Sequence, residues 1–175
     1  MHRNVKETIS AIEIDRIVSE LAERISEDYR DKNPIVVGIL KGANVFVADL
    51  IRKLDFFLEV DYMVVSSYGL STTSSGAVQI LKDLSSDVNQ RDIIVVEDLI
   101  DTGLTLSYLK DNLLARKPNS LKICTLLNKP SRRKVEIDID YVGRDIEDYF
   151  VVGYGIDYAE KYRNLPYIGM VREEK

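Results

Sequence analysis

A chain of 175 residues with 45% hydrophobic and 30% charged side chains has the length and composition of one globular domain with a sizeable core, which excludes a disordered or fibrous protein. Its formal net charge of -5 gives no overall basic footprint for nucleic acid or a membrane surface, and its apolar runs are too short to span a bilayer. The opening MHRNVKETIS lacks the apolar core of a signal peptide, so no nucleic-acid partner, no membrane and a cytoplasmic location are expected of a single domain over 1–175.

In chain order, Ile14, Ile17, Val18, Leu21, Ala22 and Ile25 recur at helical spacing with charges between them, which predicts an amphipathic helix over 12–30. PIVVGIL (34–40) reads as a short buried strand that turns into a helix within KGANVFVADLIRKL (41–54). FFLEVDYMVVSS (56–67) is a strand, the polar YGLSTTSSGA (68–77) a mobile loop over a site, and VQILKDL (78–84) a returning strand. DIIVVED (92–98) is the next buried strand, LTLSYLKDNLLARKP (104–118) a helix stopped by Pro118, and SLKICTLLNK (120–129) a further apolar strand. Shorter strands follow around YVG, YFVVGYG and YIGMV. Apolar strands alternating with helices predict an α/β fold, a mainly parallel twisted sheet flanked by helices, in which ligands bind at the carboxyl ends of strands.

One cysteine, Cys124, and one histidine, His2, exclude an internal disulfide, a Ser-His-Asp triad and a histidine zinc site. Cys124, in LKICTLL, reads as a small core residue, and His2 sits at an end expected to fray. Chemistry must then run on carboxylates, lysines, arginines and backbone dipoles. The stretch IIVVEDLIDTGLT (93–105) concentrates them: strand formers run into Glu97 and Asp98, Asp101 follows, and Thr102, Gly103, Leu104 and Thr105 open a helix. Backbone N–H groups and a helix dipole converging at such a turn make a phosphate cradle, with Thr102 and Thr105 adding hydroxyl donors. Glu97 and Asp98 can accept from two vicinal hydroxyls or hold the waters of a magnesium ion. A ribose phosphate satisfies all of these groups at once.

VVEDLIDTGLT closely resembles the phosphoribosyl-pyrophosphate motif of the type I phosphoribosyltransferases, and within them the match is to hypoxanthine-guanine phosphoribosyltransferases of bacterial type, over nearly the whole chain. GILKGANVF resembles the family's pyrophosphate loop, SSYGLSTTSSG its mobile active-site loop, LLNKP its purine-binding lysine segment, and YFVVGYGIDYAEKYRNLPYIG its C-terminal base- and metal-binding segment. The resemblance implies the family's fold, with a small hood formed by N- and C-terminal segments. It also implies Mg2+-dependent transfer of ribose phosphate from phosphoribosyl pyrophosphate to N9 of hypoxanthine or guanine, giving IMP or GMP plus pyrophosphate, in a homodimer or homotetramer.

Residue by residue, it implies Glu97 and Asp98 on the ribose hydroxyls, directly or through magnesium-bound water, and Asp101 facing purine N7 from a dry pocket as general base or hydrogen-bond acceptor. Asp101 to Thr105 would cradle the 5′-phosphate, with Leu104 at a position where some relatives carry lysine. Lys41 and Gly42 would contact pyrophosphate through a strained, cis Leu40–Lys41 peptide, and Arg163 would pair with it. Lys129 would donate to purine O6, Phe150 stack on the ring, and Val151 bond the base through its backbone. Asp157, in the same base-binding segment, would ligate a second magnesium. Ser67 and Tyr68 begin the lid. Tyr158 and Tyr162 are read as packing, and the basic clusters RKPNSLK and KPSRRK as solvated edges.

Three other functions fit parts of the pattern. A phosphoribosyltransferase-fold regulator that senses nucleotides and binds RNA would need a basic face. A receiver or phosphatase on another doubly wound sheet would draw its acids from separate strand ends. A phosphoribosyltransferase for another base would have no use for Lys129.

Overall fold

The computed structural model describes residues 5–67 and 78–171. The loop expected over 68–77, with Tyr68, lies outside the described residues, as does His2.

The chain opens with β1 (Val5–Ile9), and Ser10 then caps α1 (Ala11–Tyr29) by accepting from the Glu13 N–H at 3.2 Å. The face of α1 predicted from spacing is buried, with Tyr29 added to it. β2 (Ile35–Leu40) runs into α2 (Asn44–Ile51), then β3 (Glu59–Ser67), the returning β4 (Val78–Lys82) and β5 (Asp92–Ile100). α3 (Leu104–Leu114) ends before Pro118, at Ala115, and Lys117 takes up a left-handed φ of 57° ahead of the proline. β6 (Ser120–Asn128), a 3-10 turn at Pro130–Arg132, β7 (Tyr141–Asp145), β8 (Val151–Val152) and β9 (Ile168–Val171) complete the order. Among the described residues no helix is long and apolar enough to cross a membrane.

The main sheet has the order β4-β3-β2-β5-β6-β7, parallel at every pairing except β3 with β4. Its strands are apolar on both faces because each face meets a separate core. From β5, Ile94 and Val96 pack with α1 and α2, while Ile93 and Val95 pack with Leu106, Leu109 and Leu113 of α3. Full burial of each such aliphatic side chain contributes roughly 1.5–3 kcal/mol. Cys124 is fully buried, as expected of a core residue, and burial pushes its thiol well above the ordinary range.

A three-stranded antiparallel sheet, β1-β9-β8, forms the hood. From β2 the chain builds outward to β3 and β4, and from β5 it builds outward the other way to β6 and β7. The boundary between β2 and β5 is therefore the point where strand order reverses, and a crevice opens there at the carboxyl ends.

Candidate active site

β5 is longer than its apolar run predicts. Pairing with β2 stops at Gly38 with Val96, whereas pairing with β6 continues to Ile100 with Asn128. Glu97 and Asp98 thus lie within the strand, just past the point where pairing with β2 stops, and not at the strand end as read from sequence. Adjacent residues of an extended strand ordinarily face opposite ways, but here the two carboxyls meet in a side-chain hydrogen bond. Glu97 lines a cavity of about 150 Å3 closed by the turn from Asp101 to Leu106. Asp98 meets the loop after β2: a Cβ built on Gly42 would lie 2.0 Å from Asp98 Oδ2, so only glycine lets backbone and carboxylate approach this closely. Burial, first of all, pushes both carboxyls up. The neighbouring Asp98 charge raises Glu97 further, while Arg163 partly offsets the effect at Asp98. The pair is short of positive charge.

The turn after β5 is fixed by contacts from the segment that follows β6. Gly103 caps α3 with φ 80°, a left-handed conformation costly for other residues. The Asp101 carbonyl accepts from Arg133 Nη1 at 2.8 Å and the Thr102 carbonyl from the Lys134 N–H at 2.9 Å, so the acceptors of the turn are tied outward. Arg133 also donates to the Asn128 side chain. Leu104, the first residue of α3, is exposed.

On the β2 side the Leu40–Lys41 peptide is cis, as the resemblance implies. A single oxygen of Glu160, Oε2, lies 3.1 Å from Lys41 Nζ and 3.5 Å from Arg163 Nη2. Arg163 is further held by Asp157 Oδ1 at 2.9 Å and by the Gly155 carbonyl at 2.8 Å. Asp157 Oδ2 accepts from the Glu160 N–H at 2.8 Å. Lys41, Gly42, Asp157 and Arg163 therefore stand together around Asp98. Glu160, which sequence reasoning missed, stands between the two cations.

A second cavity of about 280 Å3 opens beyond Leu99, lined by Asp101, Lys129, Arg132, Asp148, Phe150 and Val151 among others. Lys129 is buried, 5% exposed, which excludes its reading as a solvated charge, and its Nζ is 3.9 Å from Asp148 Oδ1. Val151 is buried in β8, paired with Met170. Phe150 is 52% exposed and meets Tyr158 edge-on, ring centroids 5.3 Å apart, so it is no core aromatic. Tyr158 is itself 54% exposed and forms part of this rim, contrary to its reading as packing. Tyr162 is half-buried, with a left-handed φ of 75°.

Two further expectations need correction. Asp101 does not sit in a dry pocket: its side chain is 39% exposed and is paired with Arg132 Nε at 3.0 Å. KPSRRK is no idle solvated edge, since Arg132 bridges Asp101 and Asp148 while Arg133 anchors the turn after β5. Neither arginine carries a local signal, because each gains its role only when the end of β6 folds back against the turn after β5. The lid expectation is tested at neither position: Ser67 is the last residue of β3, and Tyr68 lies outside the described residues.

A larger cavity, about 650 Å3, lies behind the site between α1, α2 and the segment around Pro166. Among its charges, Lys53 pairs with Asp15 at 2.7 Å and Arg52 with Asp49, which also accepts from the Tyr154 hydroxyl at 2.6 Å.

Residues 8–159 match the family described as phosphoribosyl transferase domain. The chain is 54% identical to a hypoxanthine-guanine phosphoribosyltransferase of Bacillus subtilis, over 98% of this chain and 95% of that protein. It superposes on the crystal structure of a hypoxanthine-guanine phosphoribosyltransferase from Bacillus anthracis with a TM-score of 0.91 at 48% identity, over 95% of this chain and 98% of the other. A hypoxanthine phosphoribosyltransferase from Staphylococcus aureus gives 0.94 at 47% identity, over 98% and 94%.

Proposed function

The chain belongs to the phosphoribosyl transferase family, and from that premise we propose that it is a hypoxanthine-guanine phosphoribosyltransferase of purine salvage. It transfers the 5-phosphoribosyl group of phosphoribosyl pyrophosphate to N9 of hypoxanthine or guanine, giving IMP or GMP and pyrophosphate. The observation that carries the reading is the position of the half-buried Glu97–Asp98 pair. It has an anion cradle on one side, two cations on the other and a half-open aromatic cavity beside it.

The turn from Asp101 to Thr105 takes the 5′-phosphate, and Glu97 and Asp98 accept from the ribose hydroxyls. As the C1–O bond to pyrophosphate breaks, positive charge gathers on the sugar, as in glycoside cleavage, and the carboxylate pair offsets it. Lys41 and Arg163 hold the departing pyrophosphate, which must displace Glu160 from between them. N9 forms the new bond to C1 while Asp101 faces N7 and accepts its proton. Lys129 donates to O6, which selects a 6-oxopurine over adenine, whose amino group at that position is itself a donor. Phe150 supplies the stacking face, Val151 the backbone contacts, and Ser67 and Tyr68 begin the lid.

Magnesium fits the same carboxylates, because two adjacent half-buried acids whose carboxyls are pushed up by desolvation are a site that gains from a cation. Glu97 and Asp98 would hold it, with Asp157 for a second ion once Asp157 releases Arg163. Bound there, magnesium supplies charge neutralisation for the leaving group. The highly exposed Phe57 and Ile12 support assembly into a homodimer or homotetramer.

Asp101→Asn tests the assignment. Phosphoribosyl pyrophosphate binding should stay within about twofold while transfer slows by roughly 100-fold or more, the range for a positioned acid-base group. Equal loss of binding and turnover would move Asp101 from catalysis to architecture.

A further inference from the structure

Lys129 presents a problem that its expected role does not solve. Its backbone is fixed, the N–H donating to the Ile100 carbonyl at 2.9 Å, and Pro130 starts a 3-10 turn immediately after it. The side chain, however, is a flexible four-carbon stem with a point charge at its end. To read O6, that charge must stand at one place in the cavity and stay clear of Asp101, which must read N7. In an open pocket the two opposite charges would collapse together.

The residues around the cavity prevent this. Asp148 turns one oxygen to each of two cations, Oδ1 to Lys129 Nζ at 3.9 Å and Oδ2 to Arg132 Nη1 at 3.4 Å. Arg132 in turn occupies Asp101 through Nε at 3.0 Å. The signs alternate along the wall as Lys129, Asp148, Arg132, Asp101. At 3.9 Å the first pair is ionic without being a hydrogen bond, so it fixes the position of the ammonium and leaves its hydrogens free for a ligand.

We infer that Asp148 is a positioning residue for base selection, holding the Lys129 ammonium apart from Asp101 so that O6 and N7 of a 6-oxopurine are read by separate groups. The inference rests on the reading of this cavity as the base site. Without the Asp148 charge, Asp101 is the carboxylate left in the cavity lining, and Lys129 and Arg132 both compete for it. The donor that rejects adenine is then misplaced, drawn from O6 toward Asp101.

The test compares the native enzyme with Asp148→Asn, Asp148→Glu and Lys129→Ala, measuring kcat and KM for hypoxanthine, adenine and phosphoribosyl pyrophosphate. Asp148 is half-exposed, so the substitutions leave the fold intact, which a melting curve checks. Asp148→Asn should raise KM for hypoxanthine and lower the preference for hypoxanthine over adenine by about tenfold, about 1.4 kcal/mol. KM for phosphoribosyl pyrophosphate should not move. Asp148→Glu should restore most of the preference, and Asp148→Asn should add little on top of Lys129→Ala. An unchanged preference in Asp148→Asn, or full additivity with Lys129→Ala, would overturn the inference while leaving the base site in place. A native enzyme with no turnover of either base would overturn the reading of the cavity, and the inference with it.

Discussion

Gly42 is the position where a single added methyl should separate positioning from chemistry. Its backbone φ is not left-handed, so alanine is conformationally acceptable there and only the space objects. The new Cβ would lie 2.0 Å from Asp98 Oδ2, 2.6 Å from Cγ and 2.8 Å from Oδ1, against ordinary contact from 3.4 Å, so the carboxylate or the loop must retreat by roughly 1.4 Å. Overpacking on this scale costs about 1–3 kcal/mol, and each kcal/mol lowers Tm by about 2–4 °C in a chain of this length. The kinetic effect should be larger, because a misplacement of about 1 Å in a positioned group costs on the order of 100-fold. Melting curves and steady-state kinetics on Gly42→Ala, Asp98→Ala and the double variant form the assay. The double variant should melt higher than Gly42→Ala, because the clash is gone, and remain as slow, because the carboxylate is gone too. A Gly42→Ala enzyme with native Tm and native KM for phosphoribosyl pyrophosphate would refute the contact, and so would a double variant whose losses simply add.

The carboxylate pair makes a prediction in pH. Burial raises the Glu97 carboxyl above its unfolded value of 4.5, so the folded protein retains a proton that the unfolded chain has lost. Its contribution to stability is full below pH 4.5 and is lost as pH rises through the raised value. Glu97→Gln should therefore stabilise the ligand-free protein at neutral pH by about 1–2 kcal/mol, seen as a higher Tm, while abolishing most activity. The gain should vanish near pH 4, and a pH-independent difference in melting would contradict the sign. For Glu160→Gln, release of the carboxylate from Lys41 and Arg163 should lower KM for phosphoribosyl pyrophosphate by about two- to fivefold, the modest scale of an exposed, solvent-screened ion pair. A higher KM would make Glu160 a ligand contact and not a competitor.

What could be read from the residues follows from range. α1 and the strands carry their burial in local period, so Ile14 to Ile25 and the β2 and β5 runs were legible, and the turn at Asp101 to Thr105 declares itself because cap, glycine and hydroxyls are contiguous. Strand length was less legible: β5 extends beyond its two acids through Leu99 and Ile100 because β6 continues to pair with it, which no property of EDLI announces. Arg132, Arg133, Asp148 and Glu160 were illegible for a related reason. Their partners lie on other elements, and KPSRRK or YAEKY has the composition of ordinary surface. Tyr158 was misread because a tyrosine beside a strand is usually packing, whereas here the partner that defines it, Phe150, is itself exposed.

The most direct measurement of the central claim is nucleotide formation from phosphoribosyl pyrophosphate and magnesium, run in parallel with hypoxanthine, guanine, xanthine, adenine and uracil. Rapid IMP and GMP formation, with adenine and uracil inert, is the result expected of Lys129 and Asp101 facing a 6-oxopurine above the Glu97–Asp98 pair. Binding of phosphoribosyl pyrophosphate with no product from any base would contradict it, leaving the same carboxylates as the floor of a ligand-sensing site.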